Sequence, residues 1–230
     1  YLVNLDSRED RLESAMGQAE LLGIPLLRVP AFAIDGLKKT DVRYAAPGVA
    51  ATWLSHRKAA HEFLNTKHEY ALILEDDFQL NKPLNLPTET WLNENRIDFI
   101  QIGYLRVTKW ESIDILFINF RDLLLRLIKK ATAFSSRLDA KYSSRLLIRE
   151  LPNANFRMIP TDIRPGGHCY LISRRFAEAM QDLNEPIIFS ADELFVSISK
   201  MRAFKMLRFR CSQVKQSNSP SSVTERFRLN

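Results

Sequence analysis

Three consecutive carboxylates, Glu75-Asp76-Asp77, follow directly on the unbroken apolar run Ala71-Leu72-Ile73-Leu74. A short run of this kind reads as a strand buried on both faces. Three adjacent acids at its end repel one another unless a cation or hydrogen-bond donors compensate. Two readings fit. One is an acidic turn or helix N-terminus, where carboxylates are ordinary. The other is a site for a hard divalent cation with oxygen ligands, its charge shared by a phosphate. Ligands in open α/β sheets gather at the carboxyl ends of strands, which is where these acids stand.

The elements around the triplet read as alternating strands and helices. Tyr1–Leu5 is a first strand, followed by a helix over Glu9–Leu22 with Asp6-Ser7 as its cap and Gly23 as its stop. Leu26–Val29 is a second strand, broken by Pro30, and Ala31–Gly36 turns away from it. Strand, helix and strand within about 30 residues form a βαβ unit with a parallel pair. Pro47-Gly48 opens a long helix to Leu64, with Trp53, Leu54, Ala60 and Leu64 toward the core. After the acid-tipped strand, Ile97–Gly103 is the next strand. His168–Ser173 is another, preceded by Gly166-Gly167, a pair that lets the backbone approach something closely. Phe176–Leu183 is helical and Pro186–Phe189 extended. A further helix runs from Ser190 to about Met201, and Phe204–Arg210 is a late strand. The Ser/Gln/Asn-rich stretch Ser212–Ser222 reads as loop. The pattern predicts an α/β domain spanning residues 1–230, with a mostly parallel central sheet flanked by helices.

With 230 residues, 46% hydrophobic and 26% charged, the chain suits a single globular core. No apolar run approaches the length of a membrane-spanning helix. Cys169 and Cys211 lack zinc spacing and read as two reduced thiols of a cytosolic protein. The net charge of +6 and pI near 9.4 favour anionic partners. Nucleic acid is the weaker choice, because no recognition motif or finger spacing accompanies the charge. The basic residues crowd between 119 and 149, where Arg126, Lys129 and Lys130 alternate with Leu123, Leu124, Leu127 and Ile128. That stretch, within an insertion at about 112–150, reads either as a surface helix packed on the domain or as an amphipathic segment lying on anionic lipid.

Six short motifs occur in one order: Val3-Asn4-Leu5-Asp6 with Arg8 and Arg11, Ala33-Ile34-Asp35-Gly36, Leu54-Ser55-His56, Ala71–Asp77, Tyr170–Ser173 and Ala191-Asp192-Glu193. Together they resemble glycosyltransferase family 25, whose bacterial members build lipooligosaccharide and whose animal members glycosylate collagen. The chain departs from the family pattern at Ala51-Thr52, usually Gly-Cys, and at Gly166-Gly167, usually Gly-Thr. The resemblance implies a GT-A-like, Rossmann-type fold and transfer of a sugar, commonly galactose from UDP-galactose, with inversion to a β-linkage. It implies a nucleotide-sugar site drawn from Asn4, Arg8, Arg11, Asp35, Gly36, Ser55, His56, Glu75 and Asp76. Among these, Arg8 and Arg11 lie one helical turn apart and suit a diphosphate, unless they form a solvated face. Asp35 suits ribose or uracil, and His56 either touches the donor or packs in the core. A Mn2+ or Mg2+ ion is expected on Asp77 with Asp76 or Glu75, and His168 is a weaker ligand candidate by analogy with other GT-A enzymes.

Inversion needs a carboxylate that takes the acceptor's proton on the face opposite the leaving diphosphate. The metal-side acids are on the wrong face, which leaves Asp192 as the catalytic candidate and Glu193 as its neighbour, one of the two capping the helix. The acceptor implied is a lipid-linked saccharide at the inner face of the membrane. The competing expectation is an inactive nucleotide-sugar-binding or membrane-surface module.

Overall fold

Residues 71–74 are each at most 7% exposed, so the apolar run is covered on both faces as its composition demands. The structure, a computed structural model, describes residues 1–38, 45–104, 158–160, 163–201, 203–209 and 212–217. The strands are β1 (Leu2–Asn4), β2 (Arg28–Pro30), β3 (Tyr70–Glu75), β4 (Phe78–Gln79), β5 (Phe99–Gly103), β6 (Met158–Pro160), β7 (Cys169–Ser173), β8 (Met206–Phe209) and β9 (Lys215–Gln216). The helices are α1 (Glu9–Met16), α2 (Ala19–Leu22), α3 (Pro47–Leu64), α4 (Glu89–Glu94), α5 (Arg174–Asp182) and α6 (Ala191–Met201), with a 3-10 turn at Ile34–Gly36.

Seven strands form one sheet in the order β2-β1-β3-β7-β5-β8-β6. β1 runs parallel to β2 and β3, and β5 parallel to β8, while β7 and β6 run antiparallel to their neighbours. Five strands therefore share one direction, and this mostly parallel sheet flanked by helices is consistent with a GT-A-like fold. The chain leaves β1 for β2 on one side and returns with β3 on the other. That reversal is a topological switch point, where such sheets open a crevice.

One face of the sheet is sealed by α3, α5 and α6 around an aromatic cluster. Phe99 stacks on Tyr170 at 5.3 Å, and Phe195 meets both at 5.0 Å. Trp53, Phe63 and Phe176 are fully buried in the same core. Trp53, Leu54 and Ala60 are buried as the helical spacing predicts, and Leu64 is partly buried against the core.

Several boundaries differ from the sequence reading. The second strand is shifted to Arg28–Pro30, because Leu2 donates to the Leu27 carbonyl and Ala31 to that of Asn4. Pro30 is tolerated there because β2 is an edge strand. The helix expected over Glu9–Leu22 breaks at Gly17, and its N-cap is Arg8, without a side-chain cap; Asp6 pairs with Arg28 instead. Gly23, at φ +67°, ends α2 as expected. Residues 186–189 are not a strand. Asn184 holds them as a loop, its Oδ1 accepting from the backbone N–H groups of Ile188 and Phe189 at 3.0 Å. The stretch from Ser212, read as loop, contributes β9, which pairs with β4, and Val214 bridges to Gly103. Cys169 is a buried free thiol. Cys211 and the basic segment 119–149 lie outside the described residues. No described helix is long and apolar enough to cross a membrane.

Candidate active site

The acid triplet is compensated one carboxylate at a time. Asp76 accepts from Asn4 Nδ2 at 2.8 Å and from Arg11 Nη1 at 3.1 Å, so each of its oxygens is engaged by a protein donor. Asn4 stands at the carboxyl end of β1 and is fixed in turn by Arg28, which donates to its Oδ1 at 2.9 Å. Arg11 comes from α1, where its buried guanidinium also lies 3.8 Å from Asp77.

Glu75 ends β3 and meets His56 of α3, with Nε2 3.2 Å from Oε1. The other ring nitrogen of His56 is 2.8 Å from the hydroxyl of Tyr170, which is fully buried on β7. Burial would push the Glu75 carboxyl up, but the hydrogen bond to His56 and the charges of His56, His168 and Arg11 outweigh it. The carboxyl is thereby held below the usual glutamate range. Burial pushes the Tyr170 hydroxyl well above its ordinary value, leaving it a neutral donor.

Asp77 is left with the least compensation. Its Oδ2 accepts from Gln216 Nε2 at 2.8 Å, and the Ser217 N–H donates to its main-chain carbonyl at 2.7 Å. Its Oδ1 is buried with no partner. Burial, and then the negative charge of Glu75, raise this carboxyl to about 6.

Arg11, His56, Glu75, Asp76, Asp77 and Gln216 line a cleft of about 610 Å³ that opens at the β1/β3 switch point. Ser55 is buried on α3, donating to the Ala51 carbonyl at 2.7 Å and accepting from the Phe32 N–H at 2.8 Å. It therefore tethers the 31–36 loop to the helix. Arg8 lines the cleft mouth, and its guanidinium forks onto exposed Asp10, holding that carboxyl down at about 2. Asp35 is exposed on the rim, and Gly36 follows it in open space.

Of the metal candidates, Asp76 has both oxygens engaged by protein donors, whereas Asp77 keeps one buried oxygen without a partner and Glu75 meets His56 through Oε1 alone. His168 is buried and outside the cleft lining, with Nε2 3.5 Å from the Val214 carbonyl and Nδ1 without a partner. Among the described residues no three His, Cys, Asp or Glu side chains are grouped to hold a metal ion. The donor set still fits a hard cation, which binds through one or two carboxylates and fills its shell with phosphate oxygens and water.

Asp192 is the second residue of α6. Its Oδ2 accepts from the Gly166 N–H at 2.9 Å, and its Oδ1 stands 2.7 Å from where a Cβ on Gly167 would lie. This is the close approach expected of the glycine pair; Gly166 also needs glycine for its φ of +107°. Burial and then Glu75 raise Asp192 to about 6, against the Gly166 hydrogen bond and the two histidines. The carboxylate lines a second hollow of about 300 Å³, with Pro165, Phe189 and Val196. Glu193 does something else. Its Oε2 accepts from the N–H and hydroxyl of Ser190 while Ser190 Oγ accepts from the Glu193 N–H, a capping box. Glu193 is thus the helix-capping acid, and Asp192 is left to the hollow.

The chain shares one motif-bearing framework over most of its length: a profile of glycosyltransferase family 25 (LPS biosynthesis protein) matches residues 1–195. The chain belongs to glycosyltransferase family 25. The matched residues run from β1 into α6 and so include Asn4, Arg11, the acid triplet and Asp192. Gln216, which bonds Asp77, lies beyond them. No curated protein matches the chain. Membership of glycosyltransferase family 25 makes the protein a sugar-transferring enzyme that takes a sugar donor and a saccharide acceptor.

Tyr170 and Gln216 were not among the sequence candidates. Tyr170 lies inside the late motif, but only the fold places its hydroxyl on His56. Gln216 has no signal, because the strand that carries it is two residues long. The glycine pair yields a prediction. Gly167→Ala should displace the Asp192 carboxylate and lower turnover roughly 10- to 100-fold while the melting temperature and donor affinity stay near the parent's. Turnover equal to the parent's, measured beside a thermal melt, would remove Asp192 from the reaction.

Proposed function

We propose that the chain is an inverting, metal-dependent hexosyltransferase that moves galactose from UDP-galactose to a saccharide of lipooligosaccharide or lipopolysaccharide, forming a β-linkage. The observation that carries this reading is the buried Asp77 oxygen without a partner at the β3 end of the cleft, within a family 25 framework. In this reading the donor's diphosphate lies at the carboxylate end of the cleft near Arg11 and Arg8. A Mn2+ or Mg2+ ion held by Asp77 and the diphosphate would neutralise the leaving charge. The acceptor occupies the hollow beside Asp192. Asp192 takes the proton of the acceptor hydroxyl as its oxygen bonds to the anomeric carbon, and the bond to the diphosphate breaks on the opposite face. The configuration inverts.

Tyr170 and His56 serve this reaction by holding Glu75 in place, not by meeting the sugar. The acceptor we assign is lipid-linked, with the enzyme cytoplasmic and peripheral at the inner membrane face through the basic residues 119–149. Co-sedimentation with anionic liposomes tests that contact: replacing Arg126, Lys129 and Lys130 by Glu should release the protein, and unchanged binding would refute it. The reaction itself is tested by donor hydrolysis over a panel of UDP-sugars with Mn2+ and with EDTA. UDP-galactose should be hydrolysed fastest, and only with the metal. No hydrolysis of any donor, with UDP still bound, would leave an inactive nucleotide-sugar binder.

A further inference from the structure

We propose that Phe32 is the stacking platform for the nucleobase of the donor, an inference that rests on the nucleotide-sugar reading above. The lining of the main cleft has two chemistries. One is built from Arg11, Asp76 and Asp77; the other from the Ala31–Ile34 segment, with Phe32 as its aromatic ring. With a divalent cation on Asp77, as the reading above has it, the cleft suits a ligand that is anionic at one extremity and flat and apolar at the other, as a nucleoside diphosphate is.

Singly exposed aromatics are ordinary on protein surfaces. Phe32, 38% exposed, differs in how firmly it is held. Its N–H is fixed by Ser55 Oγ, and the N–H of Ala31 donates to the Asn4 carbonyl at 2.9 Å, so α3 and β1 both set the backbone. Lys58 Nζ lies over one face of the ring, 5.8 Å from its centroid, and donates to the Pro30 carbonyl at 2.9 Å, so a base would stack on the opposite face. A backbone fixed before the ligand arrives loses little freedom on binding. Stacking requires only a π-face, so the platform supplies affinity and leaves the choice of base to other groups.

Calorimetry on the full chain with Mn2+, using UDP and inorganic pyrophosphate as probes, tests this. Phe32→Ala and Phe32→Leu should each weaken UDP binding roughly 5- to 100-fold and leave pyrophosphate binding unchanged, and Phe32→Trp should match the parent. The leucine variant keeps the apolar volume, so it reports on the π-face where alanine disturbs the loop. Parent-like UDP affinity in the leucine variant overturns the assignment. So does an equal loss for UDP and pyrophosphate, which means that Phe32 only supports the loop. A parent chain that binds pyrophosphate but not UDP overturns the nucleotide reading itself and the inference with it.

Discussion

Asp192→Asn is expected to lower turnover by about 10²–10⁴-fold, the range for losing a general base, with UDP and Mn2+ affinity near the parent's. Asparagine keeps an acceptor for the Gly166 N–H that now bonds Oδ2, so the start of α6 should hold. What is lost is the capacity to take a proton. The pH profile separates this role from a structural one. The carboxyl sits at about 6, raised first by burial and then by Glu75, and a base must be ionised to act. The parent's kcat/KM should therefore rise with pH through about 6 and flatten above it, and the residual rate of the variant should lack that rise. The same shift acts on stability with the opposite sense. A carboxyl raised by folding binds its proton more tightly in the native state, so its contribution is fully present below the unfolded value near 4. It is lost as pH climbs through 6. Because Asp77 titrates over the same window, it is the loss of the rise in kcat/KM in the Asp192 variant, not the stability change, that marks Asp192 as the group responsible. A variant with most of the parent's rate would move the role away from Asp192.

The elements that carry their own local signal were legible in the sequence. The apolar run of β3 is buried because nothing in it can face water, and its acids fall at the strand end for the same reason. Pro47 starts α3 where a missing N–H costs nothing. The start of α6 at Ser190 is read directly, although the sequence leaves open which of Asp192 and Glu193 caps it. What was not legible depends on partners far away in the chain. His56 had two readings, core or ligand contact, and its partners Tyr170 and Glu75 stand 114 and 19 residues away. They satisfy both nitrogens, so the ring lies in the cleft floor as a packed residue. Asp76 and Asp77 looked alike on the page. Asn4 and Arg11 settle Asp76, and a two-residue strand from the end of the described chain brings Gln216 to Asp77. Strands β4 and β9 are too short to show any alternation, and each exists only because the other pairs with it. The run 186–189 is apolar and extended in composition, yet the Asn184 side chain takes the N–H groups that a sheet would have used.

Asp77→Asn should abolish Mn2+-dependent UDP binding and, without metal, make the protein more stable at pH 8. Both effects follow from the same oxygen. Oδ1 is buried and has no donor, an arrangement that costs free energy in the free protein. A bound cation would relieve that cost, and asparagine cannot supply the charge that a hard cation selects. Calorimetry should therefore show UDP affinity in the variant that no longer responds to EDTA. The stability gain comes from burial. Folding raises the Asp77 carboxyl from 3.8 to about 6, so above pH 6 the native state holds an ionised group that it disfavours. At about 1.4 kcal/mol per pKa unit, the upper bound on the gain is about 3 kcal/mol. Asparagine keeps the acceptor that Gln216 needs and removes the charge, while Arg11 retains Asp76 at 3.1 Å. The gain should be largest at pH 8 in EDTA and shrink toward zero below pH 4, where the parent's carboxyl is protonated in both states. Saturating Mn2+ and UDP should reverse the order, since metal-dependent binding stabilises only the parent. Thermal melts at the two pH values, with and without metal and UDP, give all four comparisons. A variant less stable than the parent in EDTA at pH 8, with undiminished metal-dependent UDP affinity, would place the cation on other residues and make Asp77 a structural acid.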